Sequence, residues 1–270
     1  MPAIGIGIGV PFIRRFISGS SYRPDAQAYF DRVYSEGGSL TDLEKGYINT
    51  YFGAIDITNY DRLWIHGVSN QIAARVSLAN PATADLLTEV NSPTWTANLG
   101  YTGDGATEYL DYNFDLLNDG VNFTLDDASM GGYLNTDSTL EKAIMGIISL
   151  PSFERSYLYP QFVGAPTYSI NSTAETMGVG SVNLKGLLIS TRLASNSIKY
   201  FVDGTEEFST NTASAAIPSG NVYGLCRSFL GTANDFNSAT LSMTIIGGTD
   251  NQATFNTATQ TLATNLGFNA

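Results

Sequence analysis

Hydrophobic and polar positions follow three rhythms along the 270 residues. Over residues 4–10 they alternate strictly, with Ile4, Ile6, Ile8 and Val10 separated by Gly5, Gly7 and Gly9. Period two puts every branched side chain on one face of an extended strand and leaves the other face bare. Glycine weakens a strand by roughly 0.5–1 kcal/mol per site, so such a run is useful where another backbone comes close. Residues 1–20, which continue through Phe12, Arg14, Arg15 and Phe16, are therefore expected to form an arm. It pairs with the chain's own sheet or inserts into another subunit. A phosphate loop is excluded, because the run reads GxGxG rather than GxGxxG and too few residues precede it for a strand.

The second rhythm is helical. In "RPDAQAYFDRVYSEGG", Ala26, Tyr29, Phe30, Val33 and Tyr34 share one face, Pro24 suits a first turn, and Gly37-Gly38 ends the run. Thr41 and Glu44 have capping-box spacing, and Leu43, Tyr47, Ile48, Tyr51, Phe52 and Ile55 form a second stripe. Residues 21–60 thus predict a helical hairpin with one aromatic-rich face. A closing helix is predicted near the end, where Phe255, Ala258, Leu262 and Leu266 recur, with Thr249 or Asp250 as cap and Gly267 as stop.

The third rhythm fills residues 61–270. "KAIMGIISL", "GLLISTR", "SIKYFVDGTEEFST", "NVYGLCRSF" and "ATLSMTIIGG" are short β-rich runs between turn residues, and Asp203-Gly204 is a strong hairpin signal. Many such strands with few helices predict a mainly β fold, an antiparallel sandwich.

Charge and composition narrow the function. A net charge of −12 repels phosphate backbones, so nucleic acid is not an expected partner. The single cysteine, Cys226, allows no internal disulfide and reads as a small buried hydrophobe. No stretch reaches the roughly 18 apolar residues of a membrane span. The Arg14-Arg15 pair follows the apolar run instead of preceding it, so a signal peptide is not expected.

Catalytic chemistry finds few materials. The only histidine, His66, lies in the apolar "LWIHGV", where a satisfied core role is expected, and no GxSxG elbow accompanies it. One His and one Cys far apart in sequence assemble no zinc set of the usual ligands. Glu108, Asp111 and Asp115 are close in sequence, yet the odd spacing of Glu108 and Asp111 sends them to opposite faces of a strand. Glycosidases need two carboxylates across one sugar. Asp104 and Asp126-Asp127 lack the ligand spacing of an EF-hand loop. No metal, no cofactor and no enzymatic activity are expected. Aromatic residues are plentiful, and Trp95, Tyr101, Tyr109 and Tyr112 cluster as candidates for a glycan-stacking face, against the commoner role of core packing.

The order of "NYDRLWIHGV", "SLANPATADLL", "PTWTANLGYTGDGATEYLD", "SIKYFVDG" and the final "FNTATQTLATNLGFNA" resembles the laminin-G/concanavalin A-like jelly-roll proteins encoded in the structural gene clusters of tailed bacteriophages. The resemblance implies a homo-oligomeric virion component, a fibre, decoration or tail appendage, made in the bacterial host cytoplasm. It would dock on other virion proteins through Ile4–Val10, Phe12 and Phe16, with Arg14 and Arg15 at the mouth of the socket. The E-x-D-x-E cluster of laminarinase-like relatives is absent from this sequence. A carbohydrate-binding adhesin for host surface glycans, or a glycan-degrading enzyme, would share the fold.

Overall fold

The computed structural model describes residues 22–138, 141–178 and 184–269. The arm expected over residues 1–20 lies outside the described residues.

The chain begins with two helices, α1 (Pro24–Ser35) and α2 (Asp42–Ala54). Ala26, Tyr29, Phe30 and Val33 of α1 are buried, and so are Ile48, Tyr51 and Phe52 of α2. Thr41 and Glu44 form the reciprocal capping box that their spacing predicts. Glu44 does more: its carboxylate also accepts hydrogen bonds from the Ser69 amide and hydroxyl, both at 2.8 Å, tying the helix start to the loop before α3 (Gln71–Arg75). Leu43, expected in the buried stripe, is 64% exposed, because the buried face of α2 runs through Glu44, Ile48, Tyr51 and Phe52 and Leu43 stands off it.

The first strand, β1 (Tyr60–Ile65), carries Trp64. There follow β2 (Thr88–Val90), β3 (Thr94–Thr96), β4 (Gly100–Thr102) and β5 (Tyr109–Asp115). The short helix α4 (Leu116–Asp119) precedes β6 (Ala128–Leu134), β7 (Met145–Ser149), β8 (Glu154–Phe162), β9 (Ala165–Ser172) and β10 (Thr176–Met177). Next come β11 (Gly186–Ala194), β12 (Ser197–Val202) and β13 (Thr205–Thr210), the last two joined by the predicted Asp203-Gly204 turn. The chain finishes with β14 (Asn221–Gly224), β15 (Arg227–Phe229), β16 (Thr232–Asn234), β17 (Thr240–Gly247) and α5 (Gln252–Leu266).

These strands make two sheets. One runs β13-β12-β11-β6-β17-β4-β3, with β1 also paired to β17; the other runs β10-β9-β8-β7-β14-β5-β2, with β15 and β16 attached beside β7. Pairing is antiparallel except between β15 and β7. The result is the mainly β, two-sheet sandwich that the alternating pattern predicts, with a helical hairpin before it and a helix at its end. Aromatic pairs bridge the sheets: Trp64 stacks on Tyr112 at 4.6 Å between ring centroids, and Tyr168 on Tyr200 at 5.3 Å.

The helices cover the outer side of the eight-stranded sheet. Phe255 of α5 meets Tyr51 and Tyr60, Phe268 meets Tyr133, and the Tyr51 and Thr259 hydroxyls lie 3.2 Å apart. The closing helix is capped by Asn251, one position after Asp250 and two after Thr249, the expected caps, because the Asn251 side chain accepts from the Thr254 amide. Gly267 ends it in the left-handed region at φ 84°, as a helix stop requires.

Candidate functional site

Among the described residues, no helix packs on the outer face of the nine-stranded sheet. Its side chains follow from register. Thr88 pairs with Asp111, Asp111 with Tyr223, Tyr223 with Gly146, Gly146 with Tyr157, and Tyr157 with Ser169. Partners in register point the same way, so these six residues form one row across the sheet. Along β5 the alternation is clean: Leu110, Tyr112 and Phe114 are buried, while Tyr109, Asp111, Asn113 and Asp115 are partly exposed.

One part of this face is an aromatic platform. Tyr109, Tyr223 and Phe236 are all partly exposed, with Tyr109 4.7 Å from Tyr223 and 6.2 Å from Phe236 between ring centroids. Beside the rings, the Asp111 carboxylate accepts from the Asn221 amide group at 3.0 Å and from the Asn113 backbone N–H at 2.8 Å. Partial burial raises the Asp111 pKa above the ordinary carboxylate range, and those two hydrogen bonds oppose the rise.

The adjoining part is built around Arg227. Its guanidinium lies over the rings of Tyr157, Tyr159 and Phe229 at 5.8, 5.5 and 5.5 Å, and its Nε is 2.8 Å from Asp235 Oδ2. Tyr159 donates to the same carboxylate at 2.5 Å. A cavity of about 40 Å³ opens here between Tyr157, Tyr159, Phe162, Thr167, Glu175 and Arg227. The buried Thr167 hydroxyl on its wall makes no hydrogen bond among the described residues. Arg155 pairs with Glu175 at 3.0 Å on its rim. Asp235 and Phe236 are consecutive, so the two parts are joined through the chain.

Of the four aromatic candidates from the sequence, Tyr109 stands on this platform. Tyr112 does not: it is fully buried, stacked on Trp64, with its hydroxyl 2.8 Å from Thr244 Oγ1. Tyr101 is also fully buried and donates to Glu89 at 2.5 Å. Trp95 is partly buried, packs against the core and donates its indole N–H to the His66 carbonyl. Burial removes Tyr101 and Tyr112 from any glycan-stacking face, because their rings are already covered by protein. The missed residues are Tyr223, Phe236, Arg227 and Asp235, which lie more than 100 positions from Tyr109 in the sequence, and Tyr157 and Tyr159, about 50 away. The assembly candidates Ile4, Gly5, Ile6, Gly7, Ile8, Gly9, Val10, Phe12, Arg14, Arg15 and Phe16 lie outside the described residues.

His66 is a core residue. Its Nδ1 lies 3.0 Å from the Ala74 carbonyl and its Nε2 3.0 Å from Thr244 Oγ1. A carbonyl only accepts, so Nδ1 carries the proton, Nε2 accepts from the Thr244 hydroxyl, and that hydroxyl accepts from Tyr112. Burial lowers the His66 pKa to about 4 and keeps the ring neutral. Gly224 makes room for this thread, since a Cβ there would collide with the Tyr112 hydroxyl. Cys226 is buried behind the platform, and burial pushes its thiol pKa upward.

Two of the acids considered for calcium, Asp104 and Asp127, accept from backbone. Asp104 accepts from the amides of Ala106, Thr107 and Glu108, and Asp127 from that of Thr249. Among the described residues, no group of three or more His, Cys, Asp or Glu side chains is placed to hold a metal ion. No described helix is long and apolar enough to cross a membrane.

No protein-family model matches this sequence, and no curated protein matches it. Solved structures resemble it to differing degrees. The receptor binding domain of botulinum neurotoxin C/D mosaic serotype matches with a TM-score of 0.51 and 8% identity, over 76% of this chain and 52% of that one. Domain 4 of a GH43 extracellular arabinanase from Geobacillus stearothermophilus, in complex with arabinotriose, gives a TM-score of 0.47 and 11% identity, over 74% of this chain and 98% of that one. A Trypanosoma rangeli sialidase gives 0.46 and 10%, over 80% and 39%. At 8% identity the likeness to the receptor binding domain shows the fold alone, a jelly-roll type of β-sandwich.

Proposed function

We propose that the protein is a carbohydrate-binding module and that the bare outer face of its nine-stranded sheet is the binding surface. The observation that carries this is the partly exposed trio Tyr109, Tyr223 and Phe236 set beside a hydrogen-bonded Asp111–Asn221 pair. A saccharide has apolar C–H faces and a rim of hydroxyls, so it suits an aromatic platform flanked by fixed polar groups. Arg227 and Asp235 extend the polar side of the same face. The role is binding rather than hydrolysis. Asp235 is paired with Arg227 and Glu175 with Arg155, so neither stands free as the acid or nucleophile of a glycosidase.

Host surface glycans are the ligands this reading favours. The virion role expected from the sequence resemblance draws no support from the similar structures, and its proposed anchor lies outside the described residues. A glycan array followed by titration calorimetry tests the binding reading. Tyr223→Ala is expected to weaken saccharide affinity by about tenfold or more, the scale on which one central aromatic contributes. An array without a hit, or a hit whose affinity is unchanged in Tyr223→Ala, would overturn the assignment.

A further inference from the structure

Beside the aromatic platform, the cavity walled by Tyr157, Tyr159, Phe162, Thr167, Glu175 and Arg227 is too small for a sugar ring. Its volume of about 40 Å³ is roughly three times the space that one water needs, room for a substituent of about three heavy atoms. Register places it near the platform. Tyr223 and Tyr157 pair with Gly146 from opposite sides, two strand spacings or about 10 Å apart, and Gly146 adds no side chain between them.

Three features define what the cavity can hold. The first is an unpaired donor. Thr167 of β9 stands between Tyr159 of β8 and Met177 of β10, is 2% exposed, and its hydroxyl makes no hydrogen bond among the described residues. A buried hydroxyl without a partner destabilises the fold, and an acceptor entering the cavity relieves that. The second is an apolar lining. The Tyr159 ring meets those of Tyr157 and Phe162 edge to face, at 5.2 and 5.4 Å between centroids.

The third is neutrality. Arg227 is paired with Asp235 at 2.8 Å and Arg155 with Glu175 at 3.0 Å, so each cation at the cavity already has its anion. A carboxylate entering here would add a third negative charge beside Asp235 and Glu175, in a chain of net charge −12.

We propose that the cavity receives the acetamido group of an N-acetylated sugar, the Thr167 hydroxyl donating to its carbonyl oxygen and its methyl lying against the Tyr159 and Phe162 rings. The inference rests on the saccharide-binding reading of this face and adds the ligand class to it. An acetyl group has the right size, an acceptor at one end, an apolar methyl at the other and no charge. A hydroxymethyl group meets Thr167 but offers the rings no methyl. A carboxylate has the size and the acceptor but the wrong charge. The sugar ring itself stays on the open side, toward Tyr223.

Titration of the full chain with matched saccharides tests this. The probes are N-acetylglucosamine and N-acetylgalactosamine oligosaccharides beside their glucose and galactose counterparts. The N-acetylated member of a pair is expected to bind about tenfold or more tightly. Thr167→Val keeps the shape and removes the donor. It should cut affinity for the N-acetylated member about fivefold or more, shrinking the preference, without lowering the urea midpoint of the free protein. Tyr223→Ala should weaken both members alike. Saccharide binding that depends on Tyr223 but shows no preference for the acetamido group overturns this inference and leaves the platform standing. A preference unmoved by Thr167→Val overturns it, as does a preference for uronic acids over both neutral classes. Absence of any saccharide binding overturns the reading of the face and this inference with it.

Discussion

On the eight-stranded sheet, one outward row runs Ile65, Met243, Tyr133, Leu187, and all four are buried beneath the helices. On the nine-stranded sheet, Thr88, Asp111 and Tyr223 of the corresponding row are open to solvent in whole or part, whereas Tyr157 and Ser169 at its far end are buried. Both rows arise from period-two alternation, so strand pattern alone does not distinguish them. The difference lies in chemistry: a row of mostly apolar side chains invites a helix with Phe255 and Leu262, whereas the hydroxyl and carboxylate of Thr88 and Asp111 leave that end of the other sheet wet. One face stabilises the molecule, and the other is free to meet a ligand.

The sharpest way to break this comparison is to strip the covered face. Phe255→Ala removes the fully buried ring that contacts Tyr51 and Tyr60 and should cost about 3–5 kcal/mol, read by urea unfolding. A cost near zero would mean that the helix is not sealing the sheet.

Next in size is the neutral thread that joins the sheets through His66, Thr244 and Tyr112. His66 is held at about 4, below its ordinary value near 6.5, so the unfolded chain binds the extra proton between those values. The contribution is complete above pH 6.5 and is lost as the pH falls toward 4, on the order of 3 kcal/mol. Chemical denaturation across that window should show the loss, and His66→Gln should flatten it.

A smaller effect, about 1 kcal/mol, is expected for Asn251→Ala, which removes the cap of α5 without touching its buried side. On the open face, Tyr223→Ala should change stability by about 1 kcal/mol or less, so its loss of saccharide affinity would not be a folding defect.

The elements written in local patterns were legible from the sequence. Thr41 with Glu44, the Asp203-Gly204 turn, and the stripe of Phe255, Ala258, Leu262 and Leu266 each state their structure within a few residues. The strands β8 and β9 were not foreseen, because "ERSYLYPQF" and "APTYSINS" mix polar and apolar residues and carry prolines. Their burial comes from neighbouring strands and is not a property of their own alternation. The candidate site was half legible. Period two separates Tyr109 from Tyr112 just as it separates Glu108 from Asp111, which sends Tyr112 into the core. Tyr223 joins Tyr109 only through pairing across 112 residues of chain between Asp111 and Tyr223, and no local signal records such a register.

Cys226 gives the platform a built-in clock. It is the sole thiol of the chain, it is fully buried, and it sits in the turn between β14 and β15, directly after the strand that carries Tyr223. A thiol-directed reagent can reach it only during moments when that turn opens, and no second cysteine competes for the label. The speed of labelling therefore counts those openings one molecule at a time, and a saccharide that clamps Tyr223 against Tyr109 would slow the count.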